Sequence, residues 1–141
     1  MRRLVTGVDD QGRSRVVENE ELTTGTDAPA AQHVFRTPSK PPPARPQGTG
    51  AFRDLGVPPG ILQVYLVHMP PNAEHANHHT DTVDVDTILG GGGEIVLDDG
   101  AHTLAPGDCV VVNGVDHAWR AGPDGLTFTA VVLGTPPPLE P

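Results

Sequence analysis

With 141 residues and a formal net charge of −9, the chain has the size of one domain and lacks the clustered Lys and Arg that nucleic-acid partners require. Its only cysteine, Cys109, excludes an intrachain disulfide, and its longest apolar run is too short to span a membrane. Since no apolar stretch of a signal peptide follows the N-terminal Met-Arg-Arg, we expect a cytoplasmic protein.

The first thirty residues predict one hairpin and a loop. The segments 4–6 and 14–17 favour strands and flank Asp9-Asp10-Gln11-Gly12, which is typical of a hairpin turn. Residues 18–32 are small and polar without periodicity, so they are expected to form a loop.

Three further segments precede the regular part of the chain. A short strand is predicted for residues 33–37 and a helical turn for residues 51–55. Between them, Pro38 to Pro46 is rich in proline, which lacks an N–H and fixes φ, so an extended arm is expected. The prolines at 136–138 predict a similar extended tail.

From residue 61 onward, short apolar runs alternate with turn signals such as Asp98-Asp99-Gly100 and Pro106-Gly107-Asp108. This rhythm favours an antiparallel sandwich or barrel, and the lack of interleaved helical patterns argues against a doubly wound α/β fold. The predicted strands are residues 61–69, 82–89, 94–97, 102–104, 109–112, 117–120 and 126–133.

The four glycines from Gly90 to Gly93 have two interpretations. Glycine within a strand marks a bulge or a close approach of a ligand or another backbone, so the run could widen a pocket in a barrel wall. The alternative, which we favour slightly, is a flexible loop between two strands.

A first motif in this region resembles the cupin superfamily of small β-barrels. The cupin motif is His-x-His followed by an acid, usually Glu, and then a glycine. Its frame is matched here by His78, Thr80, Asp84 and Gly91.

A second motif supports the same resemblance. The cupin pattern Gly-x-x-His followed after three residues by Asn is matched by Gly114, His117 and Ala121. More narrowly, the segments HHTDTVD and HAWR resemble a largely uncharacterised bacterial and fungal group of single-barrel cupins.

The resemblance implies an all-β fold: a cupin double-stranded β-helix, or jelly-roll-like barrel, with an N-terminal strand extension. Residues 1–60 would supply strands and a Pro-rich arm packing on the barrel, residues 61–135 the barrel, and residues 136–141 a Pro-rich tail. Because such arms often pack across a neighbouring copy, the resemblance also implies a homodimer.

Three departures from the family pattern bear on the site. Thr80 replaces the second histidine, Asp84 replaces the usual glutamate, and Ala121 replaces the terminal asparagine. Each replacement removes or shortens a polar group, and those at Thr80 and Ala121 favour a barrel that works without a metal.

A metal centre is the leading interpretation of the histidines. On one strand, positions 78, 80 and 84 would share a face, and His117 would come from a second strand. His78, Asp84 and His117 could together hold a divalent ion such as Fe, Zn, Mn or Ni. His75, in an expected loop, could supply a further ligand.

Each of these residues also has a structural explanation. Asp84 could pair with a basic or hydroxyl group, His117 could stack on Trp119, and His75 could be exposed. His79, of opposite parity to His78, is expected to face solvent.

The remaining candidates would line a substrate pocket. Thr80 could hydrogen-bond a substrate or another polar group, and Trp119 and Tyr65 could form apolar walls. His68 lies on the predicted strand 61–69, at the barrel mouth or in its core.

The leading functional hypothesis is a divalent-metal-dependent cupin acting on a small organic acid or a phenolic or polyketide-like metabolite. Such a protein could be an oxygenase, decarboxylase, isomerase or cyclase, with His78 and His117 at its catalytic centre. The alternatives are a metal-free small-molecule-binding cupin and a metal-free isomerase or cyclase in which a histidine is the general base.

Overall fold

The computed structural model describes residues 1–23, 31–37 and 50–137, and strands are its main regular element. Within these ranges no helix is long and apolar enough to cross a membrane. The strands are β1 (Arg2–Val8), β2 (Ser14–Glu21), β3 (Ala51–Phe52), β4 (Leu62–Met69), β5 (Glu74–His79), β6 (Thr82–Leu97), β7 (Gly100–Leu104), β8 (Cys109–Val112) and β9 (His117–Gly134).

The two long strands β6 and β9 form the centre of a single curled sheet. They pair antiparallel from Thr82↔Gly134 to Val96↔Ala118. On its other side, β6 pairs with β8 and then β7, whereas β9 pairs with β5 and then β4. The N-terminal hairpin joins through the parallel pairing of β1 with β8, and β3 joins through β5.

Neighbouring residues alternate between the two faces of this sheet. On β1, Leu4 belongs to the main inner core, whereas Val5 belongs to a second cluster with Val83 and Val111 on the opposite face. Phe35 packs against that second cluster. The inner core thus contains the side chains that surround the candidate site.

The alternation changes phase once in each long strand. On the inner face of β6, the buried residues are even-numbered from Thr82 to Ile88 and odd-numbered at Ile95 and Leu97, whereas the buried Val83 belongs to the cluster on the opposite face. In β9, they are odd-numbered from His117 to Ala121 and even-numbered from Leu126 onward. Because the apolar members of both sets belong to one core cluster, each strand is shifted by one residue midway to keep a single inner face.

The glycine run is the place where β6 shifts. The pairing with β9 is irregular between Ile88 and Gly90 and again between Gly91 and Gly93. A Cβ at Gly91 would overlap the carbonyl oxygen of Gly125, and Gly91 itself has a φ of 70°. The favoured interpretation as a flexible loop is therefore wrong: the run is a bulged stretch of strand held close to β9.

The structure confirms several predicted elements and corrects others. The 4–6/14–17 hairpin and the strands at 61–69 and 109–112 are present. Residues 18–21 are strand rather than loop, since their backbone pairs with β1 while their side chains face outward.

Two short segments also differ from expectation. Residues 33–37 form no strand: Val34 accepts a hydrogen bond from the Arg3 side chain instead of pairing with a neighbouring backbone. Residues 51–55 form no helical turn, because Ala51 and Phe52 pair in parallel with β5.

Other predictions stay untested. The Pro-rich arm, Pro38 to Pro46, lies outside the described residues, and so does the tail from residue 138 onward. The division at residues 60 and 135 and the homodimer remain predictions.

The glycine geometry predicts that neighbouring substitutions have different effects. Gly91→Ala should lower the free energy of unfolding by about 2–4 kcal/mol, because the methyl group meets backbone at a positive φ. Gly90→Ala is the matched control, since a Cβ there has no neighbour within 4 Å, and it should change stability by less than about 1 kcal/mol. Urea unfolding of both variants checks this, and equal losses would contradict it.

Candidate functional site

A cavity of about 420 Å³ opens on the inner face of the sheet. This volume falls within the range of small-molecule sites. One part of its lining is polar or ionisable and the other is apolar and aromatic. The lining residues are Arg53, Asp54, Leu55, Tyr65, Val67, Met69, His75, His78, Thr80, Asp84, His117, Trp119, Phe128, Ala130 and Val132.

His78 and His117 form a pair of tilted, adjacent rings in this cavity. They are direct partners on the neighbouring strands β5 and β9, with ring centroids 4.3 Å apart. Each Nδ1 donates to a backbone carbonyl, that of Ala76 at 2.9 Å and that of Val115 at 2.8 Å. Because a carbonyl can only accept, the Nε2 atom of each neutral ring carries a lone pair.

Both imidazoles are held in the neutral form. Burial, together with the adjacent His78, lowers the pKa of His117 to about 3. Burial also lowers the pKa of His78, opposed by its hydrogen bond to Ala76. At neutral pH the pair therefore offers basic nitrogen atoms without positive charge.

His75 lies beside this pair but is already engaged. It belongs to β5 rather than to a loop, and its ring centroid is 4.5 Å from that of His78. Its Nε2 is in contact with an Arg53 side-chain nitrogen, which can only donate. Burial is the main cause that lowers the pKa of His75.

Asp84 reaches the cavity by a route different from the predicted one. His78 and Asp84 do not share a strand, because β5 ends at His79 and β6 begins at Thr82. The turn between them nevertheless leaves His78, Thr80 and Asp84 all buried on the cavity wall. The three residues therefore lie on one surface, as predicted, but a turn and not a single continuous strand brings them there.

A short hydrogen-bond chain fixes the carboxyl group of Asp84. The Thr82 hydroxyl donates to Asp84 Oδ1 at 2.6 Å, which is the hydroxyl pairing foreseen as its structural role. The Thr80 hydroxyl lies 2.8 Å from that of Thr82. Since the proton of Thr82 is used on Asp84, Thr80 donates to Thr82.

Two aspartates of β6 lie in succession on the inner face. Burial raises the pKa of Asp84 to about 6, while the Thr82 hydroxyl opposes the rise. Asp86 is fully buried, and burial together with the charge of Asp84 raises its pKa well above the ordinary value. Among the described residues, Asp86 Oδ1 has no hydrogen-bond partner.

The apolar wall includes both predicted aromatic residues but not the predicted His68. Trp119 stacks on Phe128 with centroids 4.8 Å apart, and it contacts His117 edge-on rather than by the stacking considered as the structural role of that histidine. Tyr65 lines the cavity. On β4, His68 lies on the face opposite to that of the lining residues Tyr65, Val67 and Met69. It is exposed and contacts the Thr127 hydroxyl at 3.0 Å, so its assignment to the pocket was wrong.

The described residues do not fit the predicted metal centre as a complete set. The neutral, backbone-oriented His78 and His117 have the form that metal ligands take. The Nε2 of His75, however, faces Arg53, and Asp84 accepts from Thr82. Within the described ranges, no three His, Cys, Asp or Glu residues are grouped so that they could hold a metal ion.

Sequence reasoning missed two residues that shape the site. Asp116 is buried, accepts from the Gly50 N–H at 3.1 Å and lies 3.0 Å from His79 Nδ1, so His79 is tied to it rather than facing solvent. Arg53 reaches the cavity because its N–H donates to the carbonyl of His79 at 2.8 Å. Neither contact has a local pattern in the sequence.

A second depression, of about 360 Å³, lies at the first hairpin and is a structural joint. Asp98 there accepts from the Ser14 N–H and Asp99 from the Val16 N–H. Because these carboxylates hold β2 against the 98–99 turn, we do not assign a ligand to it.

Comparison with known sequences gives partial matches. No protein-family profile matches the chain. Phomopsin biosynthesis cluster proteins D and C' of Diaporthe leptostromiformis are each 35% identical to it over 72 residues. The match covers 47% of this chain and 38% of each relative, so the chain spans well under half the length of the curated relatives it matches.

Comparison with solved structures identifies the fold. An uncharacterised protein with a double-stranded β-helix domain from Klebsiella pneumoniae is 24% identical, with a TM-score of 0.50, over 64% of this chain and 83% of that chain. A cupin protein from Bacteroides fragilis is 20% identical, with a TM-score of 0.43, over 52% and 65%. The chain has a small double-stranded β-helix fold, which confirms the predicted fold class.

The buried Asp84 predicts a particular dependence of stability on pH. Its folded pKa of about 6 exceeds the ordinary 3.8, so the stability it contributes is present at low pH and lost as pH rises through 6. Asp84→Asn removes this loss. Relative to the wild type, the variant should gain roughly 3 kcal/mol in unfolding free energy between pH 4 and pH 7.

Urea unfolding across this pH range provides the measurement. Thr82→Val should move the wild-type change to higher pH, because it deletes the hydroxyl that favours the carboxylate. Parallel stability curves for the wild type and Asp84→Asn would show that Asp84 ionises as easily in the folded protein as in the unfolded chain.

Proposed function

We propose that this protein binds a small organic molecule in the barrel cavity and acts on it without a metal, with the His78–His117 pair as hydrogen-bond acceptor and general base. The observation that carries the proposal is the pair of neutral imidazoles whose Nδ1 atoms are fixed on backbone carbonyls. A fixed orientation suits both roles, but a general base also needs a pKa near the working pH, so His78 is the better general base and His117, with a pKa of about 3, the better hydrogen-bond acceptor.

The reaction class that suits these groups is a proton shift, as in an isomerase or a cyclase. A lone pair on Nε2 can take a proton from a carbon next to a carbonyl group and return it at another position. Such a step needs no outside oxidant or reductant. The carboxyl group of Asp84, in the same cavity, is a second group able to exchange a proton near neutral pH.

The relatives are consistent with a role in small-molecule metabolism. Two curated fungal proteins that match half of this chain are named for a biosynthesis cluster. A cupin-type barrel supports small-molecule binding in general, and the finer assignment of substrate is ours. We retain a small organic acid or a phenolic or polyketide-like metabolite as the substrate class.

A metal-dependent activity, which was the leading hypothesis from the sequence, is the second candidate. It is favoured by the orientation of His78 and His117, whose Nδ1–H bonds to backbone carbonyls are typical of metal-bound histidines. The ion would be Fe, Zn, Mn or Ni, and it would supply Lewis-acid or O₂ chemistry. The engagement of His75 and Asp84 elsewhere places this candidate second.

Ligand binding tests the first proposal. A library of small organic acids, phenols and ketones can be screened through the fluorescence of Trp119, the only tryptophan, which lies in the cavity wall. For ligands that bind, His78→Gln and His117→Gln should weaken binding roughly tenfold by removing a buried acceptor of fixed orientation. His68→Gln, on the outer face, is the matched control and should bind like the wild type.

The far- and near-ultraviolet circular dichroism of each variant separates loss of binding from loss of fold. If folded His78→Gln and His117→Gln proteins bind every ligand as tightly as the wild type, the histidine pair has no role in the cavity.

Elemental analysis separates the two candidates. On our proposal, freshly purified protein contains much less than one metal ion per chain, and ligand binding survives a chelator. About one Fe, Zn, Mn or Ni per chain, lost in both His78→Ala and His117→Ala, would reverse the order of the candidates.

A further inference from the structure

Arg53 occupies a distinctive position at the rim of the cavity. Its backbone is anchored by the N–H bond to the carbonyl of His79, directly after the parallel pairing of β3 with β5. Its side chain is exposed to solvent, lines the cavity and contacts His75 Nε2. A guanidinium group is thus fixed on one side and open on the other.

The charge of Arg53 is not neutralised by the described carboxylates. Among the described lining residues, Arg53 is the only Lys or Arg, and none of the described Asp or Glu lies within ion-pair distance of it. The side chain of Asp54 turns back to accept from the Gly56 N–H at 2.7 Å. Within the described part of the chain, one guanidinium nitrogen is used, on His75, and the other N–H donors have no partner there.

The other half of the cavity is suited to an apolar body. The stacked rings of Trp119 and Phe128 line the cavity together with Val67, Met69 and Val132, and they supply hydrophobic surface beside the polar residues. A ligand that uses both halves has one anionic end and a hydrocarbon or aromatic remainder. A planar guanidinium matches a carboxylate with two parallel hydrogen bonds.

We propose that the cavity takes a carboxylate with an apolar body, and that Arg53 binds the carboxylate at the rim while the body packs against Trp119 and Phe128. The inference rests on the proposed function and names the ligand class for that site. The three histidines add no positive charge of their own, because burial is the main cause that lowers the pKa of each, so Arg53 is the cation that the described lining offers to an anionic ligand.

Matched pairs of ligands test this assignment. We would titrate cyclohexanecarboxylate against cyclohexanecarboxamide, and 3-phenylpropionate against 3-phenylpropionamide, following Trp119 fluorescence. The members of each pair share shape and differ in charge. We expect the wild type to bind each carboxylate at least roughly tenfold more tightly than its amide, as a charge-assisted bond at a partly exposed site would give.

Substitutions at Arg53 carry the decisive comparison. Arg53→Met keeps the apolar stem and should remove the preference for carboxylate while leaving amide affinity within about twofold. Arg53→Lys should keep part of the preference, because it retains the charge and loses the planar fork. Arg15→Met, an exposed arginine of β2 that does not line this cavity, is the control and should behave like the wild type.

The outcomes separate the ligand class from the site itself. If amides and carboxylates bind the wild type equally, the assignment to Arg53 is wrong and the small-molecule proposal stands. If inorganic phosphate competes with 3-phenylpropionate through Arg53, the site is a general anion site and the carboxylate assignment falls. If no member of either pair binds at millimolar concentration, the assignment of an apolar carboxylate as ligand is wrong. If the wider library also yields no ligand, the proposed function is wrong as well.

Discussion

The antiparallel pairing of β6 with β9 is the interaction on which the rest of the structure depends. Four strands pair directly with them, β7 and β8 with β6, and β4 and β5 with β9, and the others attach through β8 and β5. The first half of β9 carries His117 and Trp119, and its second half carries Phe128, Ala130 and Val132 of the apolar wall. One strand therefore contributes both the chemistry and the shape of the cavity.

The buried polar groups of the site are arranged so that little net charge is buried. His78 and His117 are neutral because burial opposes the imidazolium form, and their N–H groups are satisfied by backbone. Asp84 and Asp86 are driven toward the protonated form by the same cause. Among the described lining residues, the exposed charges are those of Arg53 and Asp54, where water still reaches them.

Sequence patterns predicted the site well where it depends on local signals and poorly where it depends on distant pairing. Thr80 and Asp84 could be placed in the cavity because their motif spacing is preserved, although the strand thought to join them to His78 is interrupted. The contact of Arg53 with His75 depends on β3 meeting β5, and a two-residue strand leaves no periodicity to detect. The long strands were divided into separate predicted segments because Gly90 to Gly93 and the turn-like residues 121–125 interrupt their patterns. At these places the inner face changes from even to odd numbering in β6 and from odd to even in β9.

That change of phase has a consequence for how the chain can vary in length. The bulge at Gly90 to Gly93 shifts β6 by one residue, and β9 makes a matching shift before Leu126. Deleting one residue from the bulge would place Ile95 and Leu97 on the outer face and turn Glu94 and Val96 inward. The number of residues in this stretch is thus fixed, as is the identity of Gly91, and the loops at the ends of the strands are where insertions can accumulate without disturbing the cavity.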